Sequence, residues 1–571
     1  MKRIISLFLA VLMLLLSLTA LASCSAPKDD GAEIDVYLGS QVFDLDPTDY
    51  YVDSNAEQVL SLMYEPLFKI NAGGNLECAA ASGYRVDKEE RQIVITLRES
   101  YWSDDVRVEA ADFIYAWTER LLDPYTQNPA AALLYDLENA VAVKSGNGSI
   151  YEIGCAATAS DEITLTYRKG ADYEQLLRNL ASVATAPARQ DIVSATPGYW
   201  SKLVNTMVFN GPFELQSFDN LIGSFTIARN VGYHQKPETV DYDNIVTPGK
   251  LEAVFSIDGE TVAVSYADIE NKTTFIMADA PLADRAANKD AATVADSTSV
   301  YTYVFNTTKA PFDNENVRRA LSLAIDRVAI VNAITYGKAA DGFLPDYCGG
   351  SSEALIGAQN LTLAKELIDS ATLTPAQKRI TLTVNDDEQS IKIAELVSAA
   401  WGELGFTVTV EAIGSVVTVL ADETEIYDSA IQVTAKNAAV GNRDFDVLAL
   451  DWQLYTDDAF VGLSAFASAF SGNGFDFDNL SNRVNISGWN SADYNALITA
   501  AFKAEGEERA RLLTEAEKEL VESAPICPII FNQSFIYVSG EVSGVTVDGT
   551  GHFVYTKAQQ KNYEQYLGDD E

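Results

Sequence analysis

The chain has 571 residues, 40 Lys+Arg against 82 Asp+Glu, a formal charge of −42 and 47% hydrophobic residues. That acidity argues against nucleic acid, whose affinity comes from Lys and Arg neutralising phosphates, and against anionic lipid surfaces. The apolar content excludes a wholly disordered chain, and because a single core stops growing at roughly 250–300 residues, two or three lobes are expected.

The N-terminus reads as an address. Lys2 and Arg3 precede an apolar run from Ile4 to Leu16, the pattern of a secretory signal. Leu21-Ala22-Ser23-Cys24 then resembles the bacterial lipobox, which implies cleavage before Cys24, lipidation of its thiol and stable anchoring by two acyl chains. Ser25 to Gly31 is small and polar, as in a tether.

Ile34–Leu38 alternates like a strand, and the polar stretch from Asp44 to Asp53 reads as a loop. Asn55–Leu67 offers the apolar face of a helix, and Arg91–Arg98 is a strand. A helix opens at Val108 and stops near Asp123-Pro124, because the residue before proline disfavours the helical conformation. Asp161–Tyr167 is a strand, Tyr173–Leu180 a helix, and Asn210-Gly211-Pro212 a turn into the strand Phe213–Leu215. In the second half, Tyr301–Phe305 is a strand and Asn316–Thr335 one long helix. The strand Ile380–Val384, the helix Ser390–Gly402 and the strand Phe406–Val410 follow in β-α-β order, which points to an α/β lobe. Ser491–Glu522 is helical throughout and Ile526–Val538 is an apolar strand.

The chemistry-bearing residues are sparse. The two histidines, His234 and His552, are far apart, and no zinc motif, nucleophile elbow or phosphate-cradling loop is present. Neither catalysis, a metal site nor a cofactor is expected. Cys78, Cys155, Cys348 and Cys527 form no C-x-x-C pair and are expected to be mostly free, buried thiols.

Six stretches in order resemble one family: Leu62–Phe68, Leu97–Asp105 continuing to Trp117, Asn210–Phe213, Phe305–Arg327, Phe445–Trp452 and Gly488–Pro528. They are similar to the large extracytoplasmic solute-binding proteins of ABC importers, the oligopeptide/dipeptide/nickel-binding group, and most of all to its oligopeptide-binding type. The resemblance implies an α/β, three-lobed periplasmic-binding-protein-like clamshell with a discontinuous first lobe. The expected layout is a signal peptide over 1–23 and a lipid-anchored tether over 24–32. Lobe I takes 33–75, 205–300 and 525–571, lobe II takes 76–204 and lobe III takes 301–524. The implied function is capture of a peptide by lobe closure, for a membrane permease, by a monomer. A saccharide or metal-chelate ligand is the alternative cargo. A non-transporting receptor or chaperone is the alternative role, with a secreted hydrolase last.

The resemblance places the ligand at Asp451-Trp452-Gln453-Leu454-Tyr455-Thr456-Asp457-Asp458. There the family supplies an aromatic wall and a carboxylate for an ammonium, normally an aspartate three residues after the tryptophan. Tyr455 occupies that place, with Leu454 before it. Asp457, Asp458 or Asp451 is left to take the role, or the ligand has no free ammonium. Trp452 is expected to face the ligand, with Gln453 beside it. Tyr50, Ser54, Tyr303 and Asn306 lie in regions that border the cleft in such proteins. Trp102 and Trp117 are expected in the core; Arg318, Asp326 and Arg327 are placed on one helix, and Arg319 and Arg327, two turns apart, are read as surface or helix-end partners.

Overall fold

The computed structural model describes residues 31–50, 54–219, 223–236, 246, 248–256, 264–421, 423–470 and 485–561. The apolar leader, Cys24 and the tether up to residue 30 lie outside the described residues.

β1 (Ala32–Ser40) leads through a loop to α1 (Ser54–Met63), whose Val59, Leu60 and Met63 are buried and which ends before Glu65-Pro66. β2 (Ala81–Asp87), β3 (Gln92–Leu97), β4 (Cys155–Ala159) and β5 (Glu162–Thr166) form a separate antiparallel sheet, ordered β2–β3–β5–β4. Ile93, Ile95, Ile163 and Leu165 alternate onto one face of it. Beside it, the helical segment 110–121 buries Phe113 and Trp117. Trp102 Nε1 donates to Asp112 (3.0 Å) and Trp117 Nε1 to the Thr185 carbonyl (2.8 Å), so each indole is satisfied within the core. The turn before this helix places Asp105 at φ +64, a left-handed conformation that aspartate tolerates.

The remaining long strands build one large mixed sheet. They are β6 (Phe213–Asp219), β7 (Ser224–Arg229), β8 (Pro248–Ser256), β9 (Phe275–Met277), β10 (Thr293–Phe305), β11 (Arg379–Asn385), β12 (Thr407–Ile413), β13 (Val447–Gln453) and β14 (Ile526–Val538). With β1 they run β12–β11–β13–β10–β14–β9–β1–β8–β7–β6. The parallel pairs β11–β12 and β1–β8 sit in opposite halves. β10 and β14 serve both halves. Beyond Val300, β10 pairs with β13 and with the start of β14, whereas Thr293–Asp296 pairs with the far end of β14, whose last residues pair with β9. The register breaks between Asp296 and Val300, so two long antiparallel strands with a local irregularity join the halves. The result is a three-lobed α/β clamshell. Its first lobe is discontinuous, drawing β1, the block β6–β9 and the end of β14 from distant parts of the chain.

The expected single helix over Asn316–Thr335 is two: α3 (Glu315–Leu323) and α4 (Arg327–Ile334), which follow α2 (Leu282–Asn288). Asp326 starts the second of these by accepting the Ala329 amide (2.9 Å) as its N-cap. Of the two arginines read as surface or helix-end partners, Arg319 is partly exposed and pairs with Glu315, whereas Arg327 is buried and donates to the Pro528 carbonyl; Arg318 is buried as well and donates to the Ser523 carbonyl. α5 (Glu388–Gly402) and the short α6 (Ala459–Ser464) follow. The expected helix over Ser491–Glu522 also divides, into α7 (Ala492–Lys503) and α8 (Gly506–Ser523), because Ala504 is extended. The cysteines Cys78, Cys155, Cys348 and Cys527 are free thiols, the last two buried.

Candidate functional site

A cavity of about 710 Å³ lies between the two halves of the large sheet. One wall comes from the end of β1 and the loop after it, with Gly39, Gln41 and Phe43, and from the α2 region, with Asp279 and Arg285. The other comes from residues 385–392, where β11 turns into α5, and from Ser299, Asp451 and Asn532. Gln58, His552 and Phe553 also line it.

Arg285 organises the first wall. Its side chain is buried, its guanidinium lies 5.0 Å over the Phe535 ring, and it pairs with Asp279. Its Nε donates to the Ala280 carbonyl (2.7 Å), and its Nη1 crosses the cleft to Gln389 Oε1 on α5 (2.6 Å). A second bond also crosses, from the Leu282 amide to Glu388 Oε2 (3.0 Å). Burial pushes the Asp279 carboxyl up, and the Arg285 charge opposes that rise. Gly39 is what lets β1 approach: its φ is +80, and a Cβ there would fall 2.0 Å from Asp279 Oδ2.

Behind the cavity, Tyr50 Oη donates to Glu57 Oε1 (3.1 Å) and His552 Nε2 lies 3.5 Å from Glu57 Oε2. Burial pulls the His552 imidazole down, but Glu57 and Asp548 outweigh it and hold it up, from 6.5 to about 9. A folded pKa above the unfolded one contributes stability that is full below pH 6.5 and lost as pH rises through 9. Denaturant melts are therefore expected to lose about 3 kcal/mol between those limits from this group, a loss absent from His552→Gln. Equal pH profiles for the two proteins would show that His552 is not the titrating group.

Of the residues singled out in the sequence, Asp451 lines the cavity, accepting from Asn532 Nδ2 (2.7 Å). Trp452 and Gln453 are buried: Trp452 projects from the opposite face of β13, stacked on Phe466 (5.0 Å) with Phe343 edge-on. Tyr455, at φ +64, packs edge-on against Tyr50 (5.6 Å). Asp457 accepts from Gln175 Nε2 (2.9 Å) and Arg178 Nε (2.8 Å), joining the part of the chain around β13 to the helix Tyr173–Asn179. Asp458 caps α6 through the Phe460 amide and pairs with Arg509 (3.1 Å). Tyr303 is buried beside Trp401, and Asn306 donates to the Arg443 and Phe445 carbonyls. Ser54 opens α1, and its side chain lies outside the described residues. Asp279, Arg285, Gln389 and Asn532 went unread in the sequence. The one usable signal was Asn385-Asp386-Asp387-Glu388, a polar run where a strand meets a helix, the end of an α/β sheet at which ligands bind.

Residues 75–474 match the family described as bacterial extracellular solute-binding proteins, family 5 (middle). The chain is 26% identical over 521 residues to the dipeptide-binding protein DppE of Bacillus subtilis, covering 87% of this chain and 86% of that protein. It is 25% identical over 531 residues to the oligopeptide-binding protein OppA of the same organism, covering 89% of each. Among solved structures, OppA of Haemophilus influenzae in complex with the peptide RPPGFSPFR superposes with a TM-score of 0.75 at 20% identity, covering 93% of this chain and 99% of that one.

Proposed function

The chain belongs to the bacterial extracellular solute-binding proteins of family 5, and from that premise we propose that it captures short peptides between its lobes and delivers them to the permease of an ABC importer, without chemistry. The observation that carries this reading is the polar cavity of about 710 Å³ between two sheet halves that β10 and β14 connect. Its volume is that of a small-ligand site. The side-chain amides of Gln41, Asn385, Gln389 and Asn532 on its walls can both donate and accept. Such groups suit the N–H and C=O groups of a peptide main chain whatever its side chains. The relatives named above as dipeptide- and oligopeptide-binding proteins support the same class.

The walls support a reading of capture by closure. The Arg285–Gln389 and Leu282–Glu388 bonds require the halves to approach, and a ligand that touches both walls favours that state by its differential affinity. Water leaves as the cleft shuts, and the remaining polar contacts strengthen. We propose further that a lipid on Cys24 keeps the protein at the membrane beside its permease, as Leu21-Ala22-Ser23-Cys24 suggests. Cys24→Ala is then expected to leave the membrane fraction, and its retention there would remove the lipid anchor.

The test of capture is thermal unfolding of the purified chain, unfolded and refolded beforehand to clear the cleft, with and without a pool of short peptides. A ligand at 100 times its Kd adds about 2.7 kcal/mol, which for a chain of this length raises Tm by about 2 °C. The peptides are expected to be recovered uncleaved. No rise in correctly refolded protein, or steady product formation, would overturn the reading.

A further inference from the structure

A second set of contacts joins the two halves of the large sheet, and it is built from full charges. The loop after β1, which gives Gln41 and Phe43 to the cavity, continues through Asp44, Asp46 and Asp49. Each of these carboxylates meets a cation from a different part of the chain. Asp46 pairs with Arg120 of the helical segment 110–121, Asp44 lies 3.5 Å from Lys202, and Asp49 takes Lys436 Nζ at 2.8 Å. Lys202 also pairs with Asp428. Asp428 and Lys436 belong to the opposite half: they lie between β12 and β13, on the strand Glu425–Ser429 and the helix Ala430–Ala439. From that half Gly414 and Ser429 line the cavity, so the pairs stand beside it. Gln432 Nε2 crosses at the same place, donating to the Asp49 carbonyl (3.2 Å).

The bonds divide by whether they cross. The Asp46–Arg120 pair, the Arg120 Nε bond to Thr48 Oγ1 (3.0 Å) and the Leu45 amide bond to the Ser201 carbonyl (3.1 Å) hold the loop, the helical segment and the Lys202 region together on one side. Lys202–Asp428 and Lys436–Asp49 run between the halves. Their side chains are between 13% and 36% exposed, so water can replace each partner when the halves part, and Lys202 keeps Asp44 in either state. Ion pairs of this exposure are individually weak and are screened by salt, which suits contacts that form and break. The Arg285–Gln389 and Leu282–Glu388 bonds differ in kind: each joins a charged group to a neutral one.

We propose that Lys202–Asp428 and Lys436–Asp49 form an ionic latch that biases the halves toward closure. The latch makes closure, and through it ligand affinity, depend on ionic strength even for a ligand without net charge. This rests on the reading of capture by closure. The four side chains, all among the described residues, lie outside the cavity lining. Their effect therefore comes through the population of the closed state rather than through contact with the ligand.

The experiment compares the refolded chain with Asp428→Asn combined with Lys436→Met, a replacement that removes both pairs and changes no net charge. General repulsion within this acidic chain is then the same in both proteins. Small-angle X-ray scattering, extrapolated to zero protein concentration, measures the radius of gyration without ligand. It is run in about 0.01 M and about 1 M salt, where the screening length is roughly 30 Å and 3 Å. The parent is expected to be the more compact in low salt and the two radii to converge in high salt. Calorimetric titration with trialanine, which has no net charge, should show the parent binding about fivefold more tightly in low salt, the scale of two partly exposed pairs, with the difference lost in high salt. Glu508→Gln combined with Arg511→Met, which removes an exposed pair on α8 at the same net charge, should match the parent throughout. Should the latch variant fail to melt near the parent temperature, Asp428→Asn alone carries the test, because Lys202 stays paired with Asp44; its effect is expected to be smaller and of the same sign. Equal radii for parent and variant in low salt, or a difference that persists in high salt, would overturn the latch and leave peptide capture standing. Radii that differ as expected without any binding of trialanine would keep the latch and count against the peptide reading.

Discussion

Arg318→Ala is expected to destabilise the protein by about 3–5 kcal/mol, the cost of stranding several buried hydrogen-bonding groups at once. Arg318 projects from α3 into the core, only 4% exposed, and its hydrogen bonds there go to backbone carbonyls. Its Nε donates to the Ser523 and Ala524 carbonyls (3.1 Å each), its Nη2 to Ser523 (2.6 Å) and its Nη1 to Phe312 (2.9 Å). Burial lowers the guanidinium pKa to about 10, so it remains charged at neutral pH. Two of these acceptors, the Ser523 and Ala524 carbonyls, sit at the C-terminal end of α8, where the helix dipole favours a cation and Ala524 turns left-handed (φ +46) to lead the chain into β14. One side chain thus secures the entry to a strand that joins both halves. Arg318→Lys should recover part of the loss, because a single ammonium cannot match the planar fork. Denaturant midpoints would measure both, and a loss under about 1 kcal/mol for the alanine variant would mean that water replaces the guanidinium at these carbonyls.

The second large effect is expected at Arg285. Arg285→Gln leaves Asp279 without its cation in a site where burial already raises the carboxyl, and breaking such a pair costs about 3 kcal/mol. In that variant Asp279 titrates above its unfolded pKa, so the deficit should shrink as pH falls and the acid becomes neutral. Asp279→Asn combined with Arg285→Gln should be more stable than Arg285→Gln alone, since both buried charges are then gone. Ligand affinity behaves differently. Either protein lacks the guanidinium bond across the cleft to Gln389, so both should bind more weakly, by about tenfold for a closed form disfavoured by about 1.4 kcal/mol. If the double replacement restored affinity as well as stability, the cross-cleft bond would have no part in closure.

Much of the architecture was legible because short segments carry their own periodicity. Ile34, Val36 and Leu38 alternate into β1, and the unbroken apolar run at Ile526 yields β14 at its expected bounds. The breaks at Asp326 and Ala504 were hidden because apolar spacing continues across them. What starts a second helix there is an N-cap at Asp326 and a neighbouring arginine drawn to the Pro528 carbonyl, 201 residues away. The first half of β10, Thr293–Ser299, was equally hidden: its polar residues show no strand pattern, and it is a strand because β14 pairs with much of it.

The sequence by itself determined the acidic, multi-lobed α/β character of the protein, since composition and the two-residue alternation of strands are local properties, while the segment that holds Asp451 was singled out by family resemblance. Only the tertiary structure decided which side chains share the cleft. Trp452 and Asp451 are adjacent in the chain, yet one enters the core and the other the cavity, because successive strand residues point to opposite faces. Asn532 reaches Asp451 from 81 residues away and Gln389 reaches Arg285 from 104. Such pairs carry no local signal: they exist because lobe packing brings separate elements to one surface, where a buried charge must find its partner.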